Sequence, residues 1–82
     1  MKYDECRVIL ACNLFGYRAI NGFSQEDIAL QIGIDVKTYG RIERAEEHTN
    51  LEILDRISRG TGMTPAQLLT PFYESIPAAS NQ

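Results

Sequence analysis

Residues 25–44 read QEDIALQIGIDVKTYGRIER, and these twenty residues decide the fold. Gly33 divides them into two short helices, predicted over residues 25–32 and 36–44, with small or apolar side chains wherever two crossing helices must touch. Ser24 is placed to accept from the first free amides of the leading helix, and Asp27 at its third position supplies the acidic half of a capping-box pair. Phe23, just before the cap, can clamp onto Ile28. Gly33 ends the helix because a tight inter-helix turn needs a left-handed residue, and glycine takes that conformation without a Cβ penalty. Asp35 caps the following helix. In it Tyr39 and Ile42 point inward, with the tyrosine hydroxyl reaching outward, while Val36, Lys37, Gly40, Arg41 and Arg44 are left on the outer face.

Outward from this segment the chain is helical throughout. A first helix is expected over residues 4–20, where Leu10, Ala11, Leu14, Tyr17 and Ile20 share one side. Gly16 weakens it by about 1 kcal/mol relative to alanine. Val8, Ile9 and Phe15 fall away from that side, with partial burial within the monomer expected of them. Asn21-Gly22 marks a turn. Asn50 or Thr49 caps a fourth helix over residues 51–59, with Leu51, Leu54 and Ile57 facing inward and Gly60-Thr61-Gly62 stopping it. Thr64-Pro65 has the cap-then-proline order that opens a fifth helix, which Leu68 and Leu69 pack down. Residues 1–74 read as a single domain and 75–82 as a flexible C-terminal tail.

Composition narrows the function classes. The chain has 82 residues, 44% hydrophobic and 23% charged, which suits one small globular domain. Its net charge is −3, so it cannot coat nucleic acid through bulk positive charge. Charge is nevertheless uneven: Lys37, Arg41 and Arg44 cluster, and Glu46, Glu47, Glu52 and Asp55 follow. A small basic face on an acidic body fits site-specific better than non-specific binding. Cys6 and Cys12 sit on different parts of one helix surface and cannot easily bond, which points to a reducing compartment. With no secretory signal and no apolar run near the roughly 20 residues of a membrane helix, a cytoplasmic location is expected. One His and two Cys offer no metal-ligand spacing, so neither metal nor cofactor is expected.

The central segment carries a chemistry that follows from geometry. For one helix to lie in the major groove while another braces its back, the two must cross closely, and Ala29 is the small residue that allows it. Ile28, Ile32, Ile34, Tyr39 and Ile42 form the wedge that sets the crossing angle. Val36, Lys37 and Arg41 then stand near the start of the second helix, where side chains can read base edges.

These residues resemble the lambda-repressor-like helix-turn-helix domains, also called the XRE or Cro type. The resemblance runs through Arg18-x-x-x-Gly22-Phe23-Ser24-Gln25-Glu26-Asp27-Ile28-Ala29, Ile32-Gly33-Ile34, Thr38-Tyr39-Gly40-Arg41-Ile42-Glu43-Arg44, Leu51-Glu52-x-Leu54-x-x-Ile57 and Gly62-Met63-Thr64-Pro65. It covers about residues 10–69 in order and at family spacing.

The resemblance implies an all-α, compact five-helix bundle whose third helix enters the major groove of double-stranded DNA. By family pattern Gln25 anchors a phosphate beside the exposed amides of its helix N-terminus, and Thr38 and Arg44 hold further phosphates. Val36, Lys37 and Arg41 match positions that touch base edges. Arg18 and Glu43 match a pair bridging the first helix to the end of the third, and together with Ala29, Gly33 and Ile42 they are structural. Four departures stand out. Asp35 replaces the commoner serine or threonine cap and turns its charge toward the phosphates. Val36 replaces a polar reader and offers only apolar contact, for example to a thymine methyl; Gly40 removes a reader and lowers helix propensity. Gly60-Thr61 replaces the usual small-then-large apolar pair before the fifth helix.

The expected function is a transcriptional regulator, a repressor that binds a two-fold symmetric operator as a homodimer. Half-sites would lie about one helical turn, roughly 34 Å, apart. Leu69, Phe72, Tyr73 and Ile76 form the expected dimer surface, being apolar beyond the core the motif requires. Two other readings stay open: an antitoxin that masks a toxin while touching DNA, which the acidic stretch after Arg44 makes credible, and a restriction-modification controller. An enzyme is not expected, since the sequence holds no arrangement of nucleophile, base and cleft.

Overall fold

The computed structural model describes residues 4–71, with side chains from Cys6 onward, and within them the chain forms five helices and no strand. They are α1 (Asp4–Asn21), α2 (Gln25–Ile32), α3 (Val36–Glu43), α4 (Leu51–Thr61) and α5 (Pro65–Leu68). α1 packs on α3 and α5, α2 on α3 and α4, and α4 on α5. One buried cluster draws on all five: Leu10, Leu14 and Tyr17 from α1, Ile28, Ala29 and Ile32 from α2, Tyr39 and Ile42 from α3, Ile57 from α4, Leu68 from α5, and Met63 from the turn before it. Ala29 and Ile42, read as crossing residues, are both buried there.

Local chemistry sets most boundaries as expected. Ser24 and Asp27 form a reciprocal capping box, the Asp27 amide donating to Ser24 Oγ and the Ser24 amide to Asp27 Oδ2, both at 3.0 Å. Those hydrogen bonds from Ser24 hold the Asp27 carboxyl below the usual carboxylate range. Gly33 closes α2 at φ 88°, its amide donating to the Ala29 carbonyl. Asp35 caps α3, and Asn50, rather than Thr49, caps α4 by accepting from the Ile53 amide at 2.7 Å. Thr64 caps α5 in a second capping box with Gln67, with Pro65 in the first turn.

Four expectations need correction. α4 does not stop at Gly60 but continues to Thr61 and ends on Gly62, at φ 80°. Gly60 is instead a point of close approach, where an added Cβ would lie 3.1 Å from the Gln31 carbonyl oxygen and the Ile32 Cα. Ile20 is 57% exposed; the place beside Tyr17 is taken by Phe23, whose ring centroid lies 6.0 Å away. Leu51 is 82% exposed because the first turn of α4 reaches past the core. Ile53, Leu54 and Ile57 form the inward face in its stead. Leu68 alone packs α5 down, while Leu69 stays 38% exposed.

Thr61 resolves the departure before α5. Buried, it donates its hydroxyl to the Ile57 carbonyl at 2.7 Å and accepts from the Met63 amide at 3.2 Å, turning the chain so that Met63 enters the core. Off the core, Val8 and Phe15 are largely exposed and Ile9 is half-buried. Cys6 and Cys12 are exposed free thiols. No helix among the described residues is long and apolar enough to cross a membrane. Of the expected dimer surface, Phe72, Tyr73 and Ile76 lie outside the described residues, as does the 75–82 segment.

Candidate nucleic-acid interface

Three helices are tied together behind the candidate interface by one carboxylate, Glu43 at the end of α3. Arg18, in the last turn of α1, donates to it through Nε at 2.8 Å and Nη2 at 3.0 Å. Gln25, opening α2, donates through Nε2 at 2.6 Å, and the buried Tyr39 hydroxyl donates at 3.0 Å. The expected Arg18–Glu43 bridge is therefore present as a two-pronged ion pair. Burial pushes the Glu43 carboxyl up, but hydrogen bonds from Arg18, Gln25 and Tyr39 outweigh it and hold the group below the usual range. Burial, and then the Glu43 charge, drive the Tyr39 hydroxyl far upward. That hydroxyl faces inward to Glu43, contrary to the outward placement expected for it. Arg18 also donates to the Phe23 carbonyl at 3.2 Å and lies over the Phe15 ring, 5.5 Å from its centroid.

In front of this brace α3 presents Val36, Lys37 and Arg41 to solvent. Lys37 and Arg41 are four residues apart and so share one face. Val36 is 40% exposed and adds an apolar edge beside them. Lys37 has no ion-pair partner among the described residues, whereas Arg41 Nη1 lies 3.4 Å from Glu47 Oε1 and Arg44 Nε lies 3.1 Å from Glu46 Oε2.

The residues assigned to phosphate by the resemblance are placed more variously. Gln25 spends one amide hydrogen on Glu43, which fixes the carboxamide at the α2–α3 junction. Thr38 lies with Oγ1 at 3.0 Å from both Asp35 carboxylate oxygens, so its proton faces the cap. Arg44 caps α3 and is exposed.

Gly40 owes its identity to these neighbours. Contrary to the outer-face placement expected for it, it is buried beneath them, and a Cβ there would stand 3.0 Å from Arg44 Nη1 and 3.5 Å from Gln25 Oε1. The absent side chain thus leaves a seat in which the Arg44 guanidinium and the Gln25 carboxamide lie together over α3.

Sequence reasoning missed several residues that support this surface. Arg56 of α4 donates to the Gly33 carbonyl at 3.1 Å, bracing the turn between α2 and α3. Gln31 donates to the Gly60 carbonyl at 2.6 Å and to the Tyr17 hydroxyl at 3.0 Å. Asn13 is buried on α1 and donates to the Leu68 carbonyl at 2.8 Å and the Thr70 carbonyl at 3.1 Å, holding the end of α5. Its signal was legible as a polar residue among Leu10, Leu14 and Tyr17. Arg56 and Gln31 sit on solvent-facing positions that carry no such signal.

Comparison with known proteins places this geometry. A helix-turn-helix family model matches residues 17–68. A hypothetical transcription factor of Neisseria meningitidis serogroup B is 30% identical over 78 residues, covering 95% of this chain and 74% of that protein. Control protein C.SmaI of Serratia marcescens is 32% identical over 68 residues, covering 83% of this chain and 81% of that protein. Among solved structures, that of the hypothetical transcription factor NHTF from Neisseria superposes with a TM-score of 0.76 at 32% identity, covering 84% of this chain and 79% of the other.

Proposed function

The chain belongs to the lambda-repressor-like helix-turn-helix family, and from that premise we propose that it is a sequence-specific DNA-binding transcriptional regulator with α3 in the major groove. The observation that carries this reading is the exposed row of Val36, Lys37 and Arg41 on a helix held rigidly from behind by Glu43, Arg18 and Gln25. A reading helix must keep its angle while its outer side chains form directional bonds to base edges, and a three-helix ion cluster supplies that stiffness. Phosphates are held at the α2 N-terminus by Gln25 and by Arg44 above Gly40, with Thr38 beside them.

The regulator acts as a repressor on a two-fold symmetric operator, bound as a homodimer. Small domains gain stability by pairing, and Leu69, 38% exposed, offers apolar surface for it; the sequence supplies the further apolar residues Phe72, Tyr73 and Ile76 after it. Selection of bound sequences from a random duplex pool at stated salt tests the whole reading. A two-fold symmetric consensus with half-sites about one helical turn apart is expected. Recovery of no consensus would refute sequence-specific binding, and an asymmetric one would refute the dimer.

Similarity to Control protein C.SmaI favours one narrower reading, a controller of a restriction-modification system. An operator mapping to the promoter of a neighbouring endonuclease gene would support it; an operator found only elsewhere would remove it.

A further inference from the structure

Two of the three cations on and just after α3 are already neutralised by the protein itself. The chain leaves α3 through Ala45, a non-glycine residue at φ 59°, and the Glu46 amide then donates to the Arg41 carbonyl at 2.8 Å. This turn folds the start of the α3–α4 loop back along α3 and delivers two consecutive carboxylates to two arginines: Glu46 to Arg44 at 3.1 Å and Glu47 to Arg41 at 3.4 Å. A left-handed alanine costs more than a glycine would, so the turn is held by its surroundings. Lys37, farthest from the loop, is left without such a partner among the described residues.

We propose that Glu46 and Glu47 are internal counter-ions that occupy Arg44 and Arg41 and restrain the affinity of α3 for any duplex until DNA displaces them. The inference rests on the reading of α3 as the DNA-contacting helix. A phosphate backbone of any sequence attracts an arginine through charge alone, and that attraction dominates non-specific affinity. A carboxylate held beside the arginine competes for the same donors and leaves a negative group near the phosphates once displaced. Random-sequence duplex, which offers charge alone, replaces the carboxylates incompletely. A cognate site displaces Glu47 more fully, because its base edges offer Arg41 a directional acceptor pair, whereas Arg44 meets phosphate in either duplex. The acidic stretch after Arg44, otherwise unexplained by DNA contact, thereby restrains DNA affinity.

The test uses the full chain with Glu46→Gln, Glu47→Gln and the double variant, titrated against a random-sequence duplex and a selected site at several salt concentrations. All four ion-pair residues are at least partly exposed, so folding is preserved; a thermal melt checks it. The expected result is a gain in random-duplex affinity of about two- to fivefold per carboxylate removed, with a steeper salt dependence. The gain at the selected site is at least as large, since the carboxylate is displaced more fully there. For Glu47→Gln the gain must vanish in an Arg41→Ala background, which a general change of net charge would not do. Unchanged random-duplex affinity, or a gain that persists without Arg41, overturns the inference while leaving α3 as the reading helix. An Arg41→Ala chain that binds the selected site as tightly as the parent overturns the α3 reading itself, and the inference with it.

Discussion

Replacing Gly40 with alanine is expected to move stability and DNA affinity in opposite directions. Gly40 lies inside α3, where alanine is favoured over glycine by about 0.8–1.0 kcal/mol because less backbone entropy is lost on folding. Against this stands the space the methyl group must find. Its Cβ would meet Arg44 Nη1 at 3.0 Å, Gln25 Oε1 at 3.5 Å and Arg44 Cζ at 3.7 Å. Only the first contact is too close, and it involves the free end of a flexible, exposed side chain. Swinging that guanidinium away disturbs an exposed ion pair with Glu46, worth about 0–1 kcal/mol. The net effect on folding is a gain of roughly 0.5 kcal/mol, or a rise in Tm of about 2–4 °C for a domain of this size. DNA affinity falls, because Arg44 loses its seat over α3; a charge-assisted contact of this kind is worth about 1.5–3 kcal/mol, and the salt slope shrinks by about one unit. Thermal unfolding followed by circular dichroism and binding followed by fluorescence anisotropy read the two quantities separately. A Tm lowered by several degrees would show that backbone, not a side-chain tip, fills the space above Gly40. Unchanged affinity with raised Tm would show that the seat serves no contact to DNA.

Four other variants separate the brace, the bundle and the reading face. Glu43→Ala strands the half-buried Arg18 and the buried Tyr39 hydroxyl, and is expected to cost about 2–4 kcal/mol in denaturant unfolding; retention of full stability would refute the brace. Because the folded Glu43 carboxyl sits below its ordinary value of 4.5, its stabilisation is fully present above that pH and is lost as pH falls through the lowered folded value. Glu43→Gln should flatten this acid limb of the stability profile, and an unchanged limb would assign it to other carboxyls. Asn13→Ala removes the donor to the Leu68 and Thr70 carbonyls, costing about 1–3 kcal/mol and raising amide exchange in α5 above that in α2; uniform exchange would mean α5 is held by Leu68 alone. Arg41→Ala should weaken binding to a selected operator by about 1–3 kcal/mol with little change in Tm, and an unaltered gel shift at fixed salt would make Arg41 a solvated side chain only.

Much of the bundle was legible in the chain because the signals involved are local. Ser24, Asp35, Asn50 and Thr64 cap their helices as their side chains dictate, and Gly33 ends α2 for a reason contained in its own backbone. The misreadings occurred where a local signal competed with a distant neighbour. Gly60 looked like a stop, yet it lies inside α4 because the backbone of α2 approaches there. Leu51 and Ile20 had the right character for the core but stand on helix ends that reach past it. Thr61 seemed out of place before α5 until its hydroxyl was seen to serve both Ile57 and Met63.

Within residues 25–44, hydrophobic period and capping chemistry alone settled two helices, their turn, and the outward placement of Val36, Lys37 and Arg41, since each depends on residues only a few positions apart. Folding decided what those side chains meet. Glu43 gathers Arg18 and Gln25 from two other helices; Gly40 is shaped by Arg44 and Gln25 lying above it; Arg41 and Arg44 are met by Glu47 and Glu46 through a left-handed turn at Ala45. Helical periodicity assigns a side chain to a face, but the partner it finds there depends on the angle at which helices cross and the path of the loop between them, which only the packed core sets.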